Sequence, residues 1–194
     1  MGNANFRSLS QDAPPVKVIY TLAAVALVSS DSDLLDAAIS ELANISPQRV
    51  ILEDPESHVP LVLSTHALID DKPEDAVRAY ETALQFVPTD WKTRNRLARL
   101  LLDDEKYEEA VDLLNVETGP GVAASVKAEM AKLKGSARIL LDDRRGLSGL
   151  MAAVKLCPWD EKCWKGLEWG RQAAEGLPEP EVEAEVRPSE VAAE

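Results

Sequence analysis

One segment of the chain, residues 57–90, carries a complete helix-turn-helix pattern that strongly limits the folds open to it. In this 34-residue unit, positions 20, 24, 27 and 32 are held by Ala76, Tyr80, Ala83 and Pro88. The small residues let two antiparallel helices approach closely, and the aromatic residue fills the gap between neighbouring hairpins. The proline ends the second helix because it cannot continue the hydrogen-bond ladder. The segment therefore predicts a stack of helical hairpins.

The same pattern recurs less completely in residues 16–49, 91–124 and 127–160, and Trp164 and Leu167 match the opening of a further helix. This arrangement resembles the tetratricopeptide repeat. It predicts an all-α chain, a tetratricopeptide-repeat solenoid of about four helical hairpins plus a closing helix. A different bundle of α-hairpins is the alternative fold.

The repeat frame leaves seven residues unassigned. The repeats that begin at residues 57, 91 and 127 follow one another at or near 34 residues, whereas the step from residue 16 to residue 57 is 41. The seven extra residues are VILEDPE, 50–56. We expect them to be an insertion in a linker, with Pro47 ending the second helix of the first repeat.

The insertion begins directly after a Gln-Arg pair. Gln48, Arg49 and Leu52 fit the pattern Gln-Arg-any-any-apolar, which resembles the element that a small WD-repeat propeller of the Ski (superkiller) complex reads in its partners. Residues 57–90 and AAVKLCPWDEKCWKGL (152–167) are similar to the C-terminal part of the tetratricopeptide scaffold subunit of that complex. The resemblance implies a non-catalytic scaffold that binds the WD-repeat subunit and the helicase. Through them it would support exosome-linked 3′-to-5′ mRNA decay.

By this resemblance, the partner-binding residues are Gln48, Arg49 and Leu52. An arginine forks onto carboxylate or carbonyl acceptors, a glutamine offers both a donor and an acceptor, and a leucine fills an apolar pocket. A local alternative stays open. In it, Arg49 pairs with Glu53 or Asp54, and the apolar side chains of the insertion pack back onto the hairpins.

The most basic run is WKTRNRLAR, in which Lys92, Arg96 and Arg99 share one helical face at i, i+4 and i+7. This face fits an acidic partner or an RNA backbone. The sequence favours instead intramolecular pairs with acids such as Asp103 and Glu105. A co-chaperone clamp for a peptide carboxylate needs Lys and Asn in three successive first helices, and this chain carries only part of that set. The alternative function is a generic tetratricopeptide adaptor, in a co-chaperone or another assembly factor.

No catalytic or metal-binding pattern is found. His58 and His66 are eight residues apart without further ligands at metal-binding spacing, and no glycine-rich run precedes a Gly-Lys-Ser/Thr motif. The acidic pairs that begin at Asp70, Asp103 and Asp142 fall at expected turns, where capping explains them. We therefore expect no enzyme activity, no cofactor and no metal.

The net charge, the apolar segments and the two chain ends limit the remaining choices of ligand, location and domain bounds. The net charge of −13 opposes strong nucleic-acid binding. The apolar run 18–28 is too short to span a bilayer, and the expected location is the cytoplasm, with the nucleus open. We predict a disordered N-terminal segment (1–15), a tetratricopeptide-repeat domain (16–175) and a disordered acidic tail (176–194), whose residues include six Glu and one Arg.

Overall fold

The computed structural model describes residues 14–178, and within that range the chain forms ten helices and no strand. The all-α prediction is confirmed. The chain divides into two compact units, one ending at Lys106 and the other beginning at Tyr107. The first unit contains α1 (Val16–Ser29), α2 (Ser32–Ala43), α3 (Pro47–Glu53), α4 (His58–Ile69), α5 (Pro73–Phe86) and α6 (Trp91–Asp103). The second contains α7 (Tyr107–Leu113), α8 (Ala124–Leu140), α9 (Gly146–Leu156) and α10 (Glu161–Ala173).

The turns that follow α1, α4, α6 and α8 share one geometry, and within the two units α1 packs on α2, α4 on α5 and α8 on α9 as predicted for hairpins. Each has one residue in the left-handed region, at φ between 57° and 59°, and these residues are Ser30, Asp71, Glu105 and Asp142. The next residue then donates its N–H to a carbonyl five positions back, as in Lys72 to Ala67 (2.8 Å) and Asp143 to Arg138 (2.8 Å). This bond satisfies a carbonyl that the helix end would otherwise leave without a partner.

The core of the first unit lies where α1, α2 and α4 meet. In α1, Val16, Ile19 and Ala23 recur at helical spacing and are at most 5% exposed. They pack with Ala38, Leu42, Val59 and Val62. In α5, Tyr80, the aromatic residue of the repeat pattern, is also buried.

The second unit is built around α8, α9 and α10. Leu150 is fully buried there, together with Ala153 and the thiols of Cys157 and Cys163, which form no disulfide. Leu177, which the sequence assigns to the acidic tail, packs against this cluster. The remaining residues of the two predicted disordered segments, apart from 14–15, 176 and 178, lie outside the described residues.

One sequence expectation needs correction. The insertion is not a linker without secondary structure, because Pro47 opens α3 at its first turn, while α2 already ends at Ala43. Proline is favoured at a first helical turn because its missing N–H would have no helical acceptor there. In the repeat 91–124, the second helix stops at Leu113, and the following residues, including Gly-Pro-Gly at 119–121, are not helical.

Candidate partner-binding site

The short helix α3 presents the Gln-Arg motif, and local capping explains why it forms. The Ser46 hydroxyl accepts a hydrogen bond from the Arg49 N–H (3.4 Å), and Pro47 occupies the first turn. At the other end, the Asp54 N–H donates to the Val50 carbonyl (2.8 Å). Seven residues make less than two full turns, so tertiary contacts must hold this helix in place.

One side of α3 packs inward. Val50 packs against the core of the first unit. Gln48, Ile51 and Leu52 lie on the opposite side at i, i+3 and i+4, where Ile51 is 43% and Leu52 81% exposed. The structure therefore brings Gln48 and Leu52 together on an open face. Of the insertion's three apolar side chains, only Val50 packs inward.

Arg49 lies beside this face and makes intramolecular bonds. Its Nε donates to Glu53 Oε1 at 2.8 Å, and its Nη2 donates to the carbonyl of Pro14 and lies 3.5 Å from Glu53 Oε2. The Arg49 side chain keeps 28% of its surface exposed, and that of Glu53 keeps 38%. The pairing that the local alternative expects for Arg49 is thus present, next to an open Leu52.

Glu53 has a second contact, at the start of α1. The Val16 N–H donates to Glu53 Oε2 at 2.9 Å. The hydrogen bond from Arg49, and after it the one from Val16, holds the pKa of the Glu53 carboxyl below its usual value. Glu53 therefore connects the end of α3 to the first turn of α1, where a carboxylate is electrostatically favoured.

The next acid, Asp54, fixes the junction between α3 and α4. Its side chain is fully buried and accepts hydrogen bonds from the N–H groups of His58 (2.9 Å) and Val59 (2.7 Å). These bonds cap α4, whose own N-cap residue makes no side-chain capping bond. The His58 ring stacks on Tyr20 with a centroid distance of 4.8 Å, so α1 is joined to the same corner.

The basic residues of α6 contact the segment that follows α3. Lys92 pairs with Glu56, and Arg96 Nη1 donates to the Ser57 carbonyl at 3.0 Å. These partners differ from Asp103 and Glu105, which the sequence suggested. The hydrogen bond and the charge of Lys92 hold the pKa of Glu56 below its usual value. Arg99 is exposed on the same helix.

A second junction joins α4 to α6 through Asp90. Its carboxylate accepts hydrogen bonds from the Ser57 hydroxyl and from the Thr93 N–H (3.1 Å), which caps α6. Burial raises the pKa of Asp90, but the bonds from Ser57 and Thr93 and the charge of Arg96 outweigh it, so the net shift is downward. Sequence reasoning missed Glu56, Ser57 and Asp90. Asp90 could have been found as a helix N-cap, because it stands directly before residues with helical spacing.

Two kinds of feature are not found in the described part of the chain, a cluster of metal ligands and a membrane-spanning helix. Among residues 14–178, no group of three or more His, Cys, Asp or Glu could hold a metal ion. His58 Nδ1 lies 3.2 Å from Asp54 Oδ1, and His66 Nε2 lies 3.8 Å from Asp70 Oδ2, so each histidine has one carboxylate neighbour. No helix in that range is both long enough and apolar enough to cross a bilayer.

Comparison with protein families identifies a tetratricopeptide repeat in residues 67–118. The match extends from the end of α4 through α5 and α6 to just beyond α7. A search of curated proteins finds no match to the chain. Residues 67–118 are therefore similar to the tetratricopeptide repeat, a helical unit found in scaffolds that bind other proteins.

Proposed function

We propose that the protein is a non-catalytic scaffold subunit of the Ski complex and that α3 docks the WD-repeat subunit through Gln48, Arg49 and Leu52. The observation that carries this proposal is the exposure of Leu52, 81%, on a helix that is anchored through its opposite side. Covering such an exposed leucine with a partner pocket is favourable, because burial stabilises the complex by about 25 cal/mol per Å² of apolar surface.

The chemistry of the neighbouring residues fits the same partner surface. Gln48 is exposed one helical turn before Leu52, so its amide and the leucine side chain can reach one surface together. Arg49 borders them and keeps part of its guanidinium group accessible. An apolar anchor flanked by polar groups is the usual composition of an interface hot spot.

The wider role rests on the resemblance to the Ski scaffold. Under this proposal, residues 16–175 act as the tetratricopeptide-repeat domain that holds the WD-repeat subunit and supports the helicase in exosome-linked 3′-to-5′ mRNA decay. The partners perform the catalysis, and the protein acts in the cytoplasm. The pairs of Lys92 with Glu56 and of Arg96 with Ser57 support a structural role for the α6 basic face over strong RNA binding.

Affinity capture tests the proposal. The tagged chain should retain a WD-repeat protein and a helicase of the Ski type, identified by mass spectrometry, and Leu52→Ala should release the WD-repeat protein. Ile69→Ala is the matched control, because Ile69 is also an exposed aliphatic residue (65%) but lies at the end of α4. Capture of a chaperone or a peptide ligand that is indifferent to Leu52→Ala would favour the generic adaptor instead.

A further inference from the structure

The donors of Arg49 are partly occupied before any partner arrives. The Nε–H is used by Glu53 Oε1 at 2.8 Å, and Nη2 donates to the Pro14 carbonyl. A carboxylate engages a guanidinium group through two parallel bonds, either from Nε and Nη2 or from Nη1 and Nη2. Either fork includes a nitrogen that α3 and the start of α1 already use.

Glu53 also cancels the charge on which such a partner would depend. It stands four residues after Arg49, and the Arg49 and Glu53 side chains keep 28% and 38% of their surfaces exposed. An incoming carboxylate therefore meets a neutral pair and a negative oxygen close to the arginine.

We propose that Glu53 is an internal competitor for Arg49, and that it limits the affinity of α3 for a partner that offers a carboxylate. This inference rests on the proposed docking role of Arg49. To form the fork through Nε and Nη2, the partner displaces Glu53 from the guanidinium group. Glu53 thereby lowers affinity and favours partners that supply both the acceptor and a pocket for Leu52, which is a means of specificity.

The same displacement reaches the start of α1. Glu53 Oε2 accepts a hydrogen bond from the Val16 N–H at 2.9 Å. The carbonyl of Pro14, two residues before Val16, accepts one from Arg49 Nη2. When Arg49 turns to a partner, the Pro14 carbonyl loses that donor, while Glu53 can keep the Val16 N–H. Partner binding at α3 is therefore coupled to the conformation of residues 14–16.

Glu53→Gln tests the competition. Glutamine has nearly the same shape and keeps a carbonyl oxygen for the Val16 N–H, but it removes the charge. We expect it to bind the purified WD-repeat subunit about two- to five-fold more tightly, since an exposed pair of this kind is weak. Asp75→Asn is the control. Asp75 pairs with Arg78 at 3.0 Å on α5, is half exposed, and should leave affinity unchanged.

A double substitution separates competition from a general charge effect. In the Arg49→Ala background, Glu53→Gln should no longer tighten binding, because the guanidinium group for which Glu53 competes is gone. Unchanged or weaker binding by Glu53→Gln alone would overturn the inference, as would equal tightening in both backgrounds. If Arg49→Ala bound the WD-repeat subunit as tightly as the parent chain does, Arg49 would have no docking role. The proposed docking role would also be wrong if the WD-repeat subunit bound neither the parent chain nor the Glu53→Gln variant.

Discussion

Two glycines in equivalent helical settings should respond in opposite ways to the same substitution. Gly135 lies inside α8, where a Cβ atom would come within 2.8 Å of the Gly146 carbonyl oxygen and 2.9 Å of the Leu150 nitrogen. Both are backbone atoms of α9, which cannot turn aside as a side chain can. Gly166 lies inside α10, where a Cβ atom would meet side chains alone, the flexible Lys132 at 3.4 Å and Leu150 Cδ2 at 3.9 Å.

The expected magnitudes follow from two opposing effects. Replacing glycine by alanine inside a helix stabilises it by about 1 kcal/mol. Overpacking against fixed atoms costs about 1–3 kcal/mol, and two backbone contacts below 3.0 Å should bring that cost toward the upper end. We therefore expect Gly135→Ala to destabilise the chain by about 1–2 kcal/mol, and Gly166→Ala to stabilise it by about 0.5–1 kcal/mol.

Thermal unfolding followed by circular dichroism measures both effects. For a chain of 194 residues, Gly135→Ala should lower the melting temperature by roughly 2–8 °C, and Gly166→Ala should raise it by roughly 1–4 °C. If Gly135→Ala raised the melting temperature as much as Gly166→Ala, then α8 and α9 would not cross as closely as the structure shows.

Three further predictions concern acid stability, the tail and RNA. The pKa of Asp90 is below its usual 3.8 in the folded chain, so Asp90 contributes stability that is present above that pH and lost as the pH falls through its folded-state pKa. In melts at pH 7, Asp90→Asn should cost about 1 kcal/mol, and its difference from the parent chain should shrink as the pH falls below 3.8. Deleting residues 179–194 should leave the melting temperature unchanged, whereas a deletion from residue 176 should lower it, because Leu177 packs on the core. The purified chain should show no ATPase or nuclease activity and only weak, salt-sensitive RNA binding. Submicromolar RNA affinity at physiological salt would contradict this expectation, given a net charge of −13.

The hairpins could be predicted because their signals are local. In the clearest repeat, Ala76 and Tyr80 had to be buried for the helices to pack, and both are. Pro88 follows the end of α5, as its missing N–H requires. The left-handed residues at the turns were less predictable, because Ser30, Asp71 and Glu105 hold positions where glycine or asparagine is the common choice.

The candidate site was less accessible to sequence reasoning because its decisive contacts are between distant residues. Pro47 was expected to end a helix, but a proline is equally suited to the first turn of one. The capping bond of Ser46 identifies Pro47 as the start of α3. Glu53 was weighed as a partner of Arg49 at i+4, which is a local relation. Its bond to the Val16 N–H joins residues 37 apart and has no pattern in the sequence.

Isothermal titration of the WD-repeat subunit with the parent chain and with Arg49→Ala and Leu52→Ala tests the docking claim most directly. A charge-assisted hydrogen bond contributes about 1.5–3 kcal/mol, and its buried partner left unpaired adds a similar cost. Arg49→Ala should therefore weaken binding by roughly 2–4 kcal/mol, about 30- to 1000-fold, and Leu52→Ala by roughly 1–3 kcal/mol. Arg78→Ala and Ile69→Ala, two exposed controls, should leave affinity unchanged. Leu52→Ala should cost the free chain less than about 0.5 kcal/mol of stability, because this side chain is 81% exposed. Full-strength binding by Arg49→Ala, or a clear loss of stability in Leu52→Ala, would contradict the account.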